Sequence, residues 1–209
     1  MPSSLPAAVR NHMAALRMLL VLTVITGIVY PLAVTGIAQA AFSHQANGSL
    51  VHQNGKVVGS SLIGQNFDLP KKNPNDPNEA PRPDPKWFQP RPSAGGYDPT
   101  ASGASNLGPN NPDLVKTIKE RKAAVAAFDG VNPKDVPADA VTASGSGLDP
   151  DISKAYAYEQ VDRVAKARGL DPAAVRELVA DNTHSRAVGF LGEPYVNVVD
   201  LNVGLAKAK

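Results

Sequence analysis

The sequence predicts an α+β protein, with one N-terminal transmembrane helix followed by a mixed α/β domain that carries a long Pro-rich loop. Three observations predict it. Residues 18–42, MLLVLTVITGIVYPLAVTGIAQAAF, run for 25 positions without a charge. Residues 66–110 hold ten prolines and four glycines. Residues 111–209 carry helix-cap signals interleaved with short β-branched runs.

The uncharged run suits a bilayer. As a helix it would measure about 37 Å at ~1.5 Å per residue, and a hydrocarbon core is about 30 Å thick. No second run of this kind follows, so the expectation is a tail at 1–17, a span at 18–42 and a soluble domain at 43–209. Pro31 removes a helix hydrogen bond and predicts a kink. Thr23 and Gly27 lie four apart, as do Gly36 and Ala40. Small residues at that spacing let a second helix come close, so Thr23, Gly27, Pro31, Gly36 and Ala40 are the candidate membrane-packing residues. A cleaved secretory signal is the alternative. Ala38-Gln39-Ala40 has the form of a cleavage site, although the apolar stretch exceeds the ~7–15 residues of a signal core.

Charge sets the expected orientation. Of 21 Lys and Arg residues, Arg10 and Arg17 precede the span, and all 19 Asp and Glu residues follow it. Cytoplasmic flanks are enriched in Lys and Arg. The N-terminus is therefore expected in the cytoplasm and the domain outside, which at a bacterial inner (plasma) membrane means the periplasm. With 19 cations and 19 anions beyond the span, the domain is formally neutral. That argues against nucleic acid as a partner, since binding it needs clustered cations. The absence of cysteine excludes disulfides, thiolate metal sites and a Cys nucleophile.

Along the domain, Asn54-Gly55 signals a hairpin turn, with a strand at 56–63. The proline density at 66–110 leaves no room for a regular helix or central strand. Within it, 70–86 is the most disorder-like part, whereas Trp87, Phe88 and Tyr97 bring area expected to be buried. Asn111-Pro112-Asp113 opens a helix to about Phe128, with Leu114, Ile118 and Val125 inward and Asp129-Gly130 as the stop. Residues 136–143 read as extended. Ser153 caps the next helix, whose face is Ala157, Val161, Val164 and Ala165, and Gly169 ends it. Asp171-Pro172 opens a third helix, and residues 195–199 read as a strand.

The sequence assembles no recognisable catalytic site. His12, His44, His52 and His184 lack metal-ligand spacing. Asp149-x-Asp151-x-Ser153 begins like a calcium loop, but Lys154 takes the glycine position and Gln160 the position of the bidentate acid. It reads instead as a turn capping a helix. Glu159 and Asp162 read as solvated carboxylates. Ser102 and Ser105 lie outside any nucleophile elbow. Ser144, Gly145 and Gly147 form a Gly-rich turn whose amides suit a nest for an anion or a carbonyl, with a plain tight turn as the alternative.

Taken in order, several segments resemble the KdpC family, the C subunit of the Kdp potassium-transporting ATPase. They are V-Y-P-L at 29–32, G-x-x-V-G-S-x-L-I-G-Q at 55–65, W-F-Q-P-R-P-S-A at 87–94, A-S-G-A-S-N-L at 101–107 and N-P-D-L at 111–114. V-T-A-S-G-S-G-L-D-P at 141–150, R-V-A-K-A-R-G at 163–169 and G-E-P-Y-V-N-V-V-D-L-N at 192–202 complete the series. Residues 70–86 depart from it and read as a loop insertion.

The resemblance implies a non-catalytic subunit of a high-affinity ATP-driven K⁺ uptake complex. Its partners would be KdpA, KdpB and KdpF, with ATP hydrolysed on KdpB. It also implies a catalytic chaperone that raises the ATP affinity of KdpB, with Gln160 at a position linked to nucleotide contact. An outward-facing domain cannot touch a cytoplasmic nucleotide, so assembly and long-range coupling are the expected mode and no cofactor is expected to be firmly bound. The alternative function is a membrane-anchored periplasmic module that binds a small anion at the Ser144, Gly145 and Gly147 turn.

Overall fold

The computed structural model describes residues 6–76 and 79–208. Residues 1–5 of the expected tail, 77–78 of the expected insertion and residue 209 lie outside the described residues. The chain divides into two compact units, Met1–Ser49 and Leu50–Lys209.

The first unit is one helical run in three parts: α1 (Ala7–Val24), a π-helical turn (Ile25–Val29) and α2 (Tyr30–Ala41). The helix therefore starts well upstream of the uncharged run and takes in Arg10 and Arg17. Pro31 does not end it. Pro31 is the second residue of α2, and a π-helical turn directly precedes it within the continuous run. None of the residues in these three segments is buried. A short helix, α3 (Ser43–Ala46), follows, and the side-chain amides of Asn47 and Gln39 exchange bonds of 3.1 and 3.2 Å.

The second unit opens with an antiparallel hairpin of β1 (Leu50–Gln53) and β2 (Lys56–Ser60). Its turn residues Asn54 and Gly55 have φ of 50° and 76°, the left-handed pair that matches strand twist. The second strand is shorter than the sequence suggests, because a turn bonding Ile63 N–H to the Ser60 carbonyl ends it. Among the described residues no helix or strand lies between Ser60 and Pro112.

Next comes α4 (Pro112–Asp129), its start capped by the Asn111 carboxamide and its end by left-handed Gly130. The extended segment expected at 136–143 is instead a turn of 3₁₀-helix, Ala138–Ala140. Pro137 sets the entry to that turn, and the Asp139 carboxylate accepts from Ser153 N–H at 2.6 Å and Ser153 Oγ at 2.9 Å. Those bonds draw the chain inward and leave no ladder partner for a strand.

β3 (Asp151–Ser153) leads into α5 (Lys154–Glu159), capped by Ser153, and α6 (Val161–Arg168), closed by left-handed Gly169. The sequence suggests one helix here, but it breaks at Gln160, whose side chain is tied to a distant loop. The expected inner face is intact: Ala157, Val161, Val164 and Ala165 are all fully buried.

α7 (Pro172–Asp181) is capped by Asp171 as expected. β4 (Thr183–His184), β5 (Tyr195–Asn197) and α8 (Val198–Leu205) complete the chain. The strand expected at 195–199 stops at Asn197, whose carboxamide accepts from the N–H groups of Val199 and Asp200 and starts a helix. The β-branched pair Val198 and Val199 then packs inward from the first turn. β5 lies between β3 and β4, antiparallel to both. α5, α6, α7 and α8 bury Tyr156, Val164, Val179, Leu201 and Leu205 against β5 and Phe88. Each such side chain contributes roughly 1.5–3 kcal/mol of hydrophobic stabilisation.

Candidate functional site

Residues 85–89 have no secondary structure of their own, yet their backbone is satisfied by side chains from far along the chain. Asn202 on α8 accepts from Phe88 N–H at 3.0 Å and donates to the Phe88 carbonyl at 2.9 Å. Gln160 does the same for Gln89, at 2.6 and 3.1 Å. Two carboxamides thus stand where a neighbouring strand would stand. Arg163 on α6 adds three contacts. It donates to the Pro85 and Trp87 carbonyls at 2.8 and 2.9 Å and to Gln160 Oε1 at 2.6 Å.

The Arg163 charge is met by Asp129, at the end of α4, at 2.6 Å, and its guanidinium lies 4.4 Å from the Phe128 ring centre. Burial raises the Asp129 carboxyl above its ordinary range, and the Arg163 guanidinium beside it pulls it part of the way back. The clamp seats Phe88, which is fully buried, at the base of the core.

The Gly-rich turn at 144–147 fastens a second stretch of the same loop. Ser93 Oγ donates to the Gly147 carbonyl at 2.7 Å, and Gly103 N–H and Ser102 Oγ donate to the Ser146 carbonyl at 2.8 and 3.0 Å. Gly147 has φ of 69°, and a Cβ there would lie 2.6 Å from the Gly103 carbonyl oxygen. No larger residue fits. The turn therefore offers carbonyls to its own protein. Gly145 is exposed, and Ser144 is buried with its hydroxyl unpartnered.

Nearby, Arg91 pairs with Asp149 at 2.9 Å, and the Tyr97 hydroxyl donates to the Arg91 carbonyl at 2.8 Å. A cavity of about 460 Å³ opens between α4 and this loop, with Asp68, Arg91, Arg121 and Tyr97 in its apolar wall. Burial pushes the Asp68 carboxyl up and the Tyr97 phenol up.

Of the sequence-stated candidates, Gln160 is fully buried and is engaged by Gln89 and Arg163. Gln160 engages Gln89, whereas the 144–147 turn bonds Ser93, Ser102 and Gly103, so the two hold different stretches of the loop. Gln89, Asp129, Arg163 and Asn202 are the residues that sequence reasoning missed. Asn202 left one legible trace: a polar residue four positions from Val198 and three from Leu205, on the face that α8 buries.

Glu159, read as solvated, is half-buried, and its Oε1 is buried without a partner. Burial first, then the charges of Asp129, Asp139 and Asp135, push its ionisation up to about 7. A carboxyl raised on folding favours the folded state while protonated. That contribution is complete below about 4.5 and is lost as pH rises through about 7. The thermal midpoint of the detergent-purified chain should therefore fall between pH 5 and pH 8. Glu159→Gln should flatten that fall, raising the midpoint at pH 8. An unchanged slope in the variant would assign the pH dependence elsewhere.

The family model described as "KdpC: K+-transporting ATPase, c chain" matches residues 12–207. The chain belongs to the KdpC family. It is 51% identical to the "Potassium-transporting ATPase KdpC subunit" of Streptomyces coelicolor over 220 residues, covering 99% of this chain and 96% of that one. The protein of the same name from Streptomyces avermitilis is 52% identical, covering 98% and 97%. That from Kineococcus radiotolerans is 51% identical, covering 100% and 99%. This makes the chain a subunit of a potassium-transporting ATPase complex.

Among the described residues the KdpC-family chain has one helix long and apolar enough to cross a membrane, Ala7–Ala41, with a mean hydropathy of 2.2 over its most apolar stretch. On it, a Cβ added at Gly27 or Gly36 would meet nothing within 4 Å, so both leave the backbone open to a neighbour. Gly36 and Ala40 lie within regular α-helix. Thr23 and Gly27 straddle the entry to the π turn, where a four-residue step covers less than one full turn.

Proposed function

We propose that this chain is the non-catalytic subunit of a high-affinity, ATP-driven K⁺ uptake complex, which it assembles and stabilises. Its N-terminus lies in the cytoplasm, its helix stays in the membrane beside KdpA, KdpB and KdpF, and its domain sits outside. The hydrolytic site is on KdpB, and this subunit acts as a catalytic chaperone that raises the ATP affinity of that site through contacts that differ between transporter states. The family match over nearly the whole chain carries this reading. The unburied apolar helix supports it, since so much exposed apolar surface calls for lipid or partner helices. The engagement of Gln160 by the loop argues for coupling at a distance, with no nucleotide held by this chain.

The test is growth at micromolar K⁺. Deleting the gene should abolish it, and a chain ending after the helix should not restore it. In parallel, a C-terminal tag on the full chain should bring down three further membrane subunits from mild detergent. Normal growth without the gene, or recovery of the chain alone, would refute the proposal.

A further inference from the structure

The cavity of about 460 Å³ between α4 and the Pro-rich loop falls within the ~300–1,000 Å³ of small-ligand sites. One wall is a face of α4, with Arg121, Val125 and Phe128 at helical spacing, and Pro83, Pro90 and Pro92 also line it. The loop is held in place by its own bonds. The Tyr97 hydroxyl donates to the Arg91 carbonyl at 2.8 Å, and the Asn66 carboxamide donates to the Gly96 carbonyl at 3.0 Å. Proline rings have no φ freedom to lose on binding, so the wall is preorganised.

Two donors in this cavity are unspent. Tyr156 on α5 is 3% exposed, yet among the described residues its hydroxyl makes no hydrogen bond. Burial pushes the phenol up, which keeps it a neutral donor. Arg121 gives one N–H to the Val141 carbonyl at 3.2 Å, and among the described residues no ion pair reaches it. Burial pulls its ionisation down. Buried donors ordinarily have partners, and a desolvated cation has most to gain from an anion. Arg91, in the same wall, is already neutralised by Asp149 at 2.9 Å.

We propose that this cavity binds a small monocarboxylate with an apolar body, its carboxylate taken by Arg121 and the Tyr156 hydroxyl, its body by Val125, Phe128 and the proline rings. Asp68 sets the charge limit. It lines the same cavity with no ion pair among the described residues, so a second negative charge on the ligand is repelled, which disfavours nucleotides and phosphate esters. Lipid-derived fatty acids and soluble aromatic acids share the required chemistry. The site needs only the fold of the Leu50–Lys209 unit and goes beyond the assembly reading.

Calorimetric titration of the full chain in phosphatidylcholine nanodiscs tests it, with empty nanodiscs as the blank. The probes are phenylpropanoate, its uncharged amide and decanoate. At least one acid should bind saturably with Kd below about 1 mM, and phenylpropanamide should bind at least about tenfold more weakly. Tyr156→Phe removes a hydroxyl that bonds nothing in the fold, so it should weaken acid binding about tenfold while leaving the thermal midpoint of the unliganded chain unlowered. Arg121→Gln should abolish binding. Tighter binding of decanoate would support the site and assign a lipid-derived acid, and tighter binding of phenylpropanoate would support it and assign a soluble aromatic one. Absence of saturable binding by both acids, equal affinity for the amide, or binding undiminished in either variant would overturn the proposal.

Discussion

Arg163→Met should lower the stability of the domain by about 3–5 kcal/mol, because it leaves Asp129 buried and unpaired. The Asp129 carboxylate is 1% exposed and meets Arg163 Nε at 2.6 Å. The same substitution frees the Pro85 and Trp87 carbonyls and one of the two donors on Gln160 Oε1. A loss of that size corresponds to roughly 6–20 °C in thermal midpoint for a domain of this size. Removing the stranded charge as well, in Arg163→Met with Asp129→Leu, should restore much of it, since replacing both members of a buried pair is far less costly than removing one. Thermal unfolding of the purified full chain measures both. A single variant as stable as the parent would show that the pair does not hold the loop.

Gln160→Ala should cost about 2–4 kcal/mol, since it strips both backbone groups of Gln89 of their partner inside the core. It should lower the amount of assembled complex, yet leave the KM for ATP of the complex that does assemble unchanged. That split separates a positioning role from a nucleotide contact. An altered KM in a chain of unaltered thermal stability would place Gln160 at the nucleotide after all. Gln160→Glu sharpens the comparison. It keeps the acceptor for Gln89 N–H, but its second oxygen faces the Gln89 carbonyl, so it too should destabilise.

The local grammar of the fold was legible. Asn111, Ser153 and Asp171 cap the helices where their side chains and the following prolines or apolar spacing place them. Gly130 and Gly169 end two of them for the same short-range reasons. The failures share a cause of longer range. Residues 195–199 have strand-like composition, but Asn197 capping turns Val198 and Val199 into a helix start. Residues 136–143 look extended until Asp139 is seen bonded to Ser153. The break at Gln160 follows from a loop 71 residues earlier, which no spacing rule reaches.

The candidate site divides the same way. The Gly-rich turn announced itself by composition, and its packing against Gly103 depends on contacts that composition does not encode. Gln160 was singled out only through the family resemblance, while its companions Arg163 and Asn202 passed as ordinary helix residues. Buried polar side chains are chosen by the backbone groups they must satisfy, and those groups are known only once the fold is known.

Phe88 is seated by a residue 114 positions downstream. During synthesis, all 114 positions up to Asn202 have to be made before that segment can settle, and until then an aromatic, proline-rich stretch stays wet and accessible to proteases and chaperones. The seating of this segment is thus timed by α8, and a truncation that removes Asn202 would leave Phe88 as homeless as deleting its own segment.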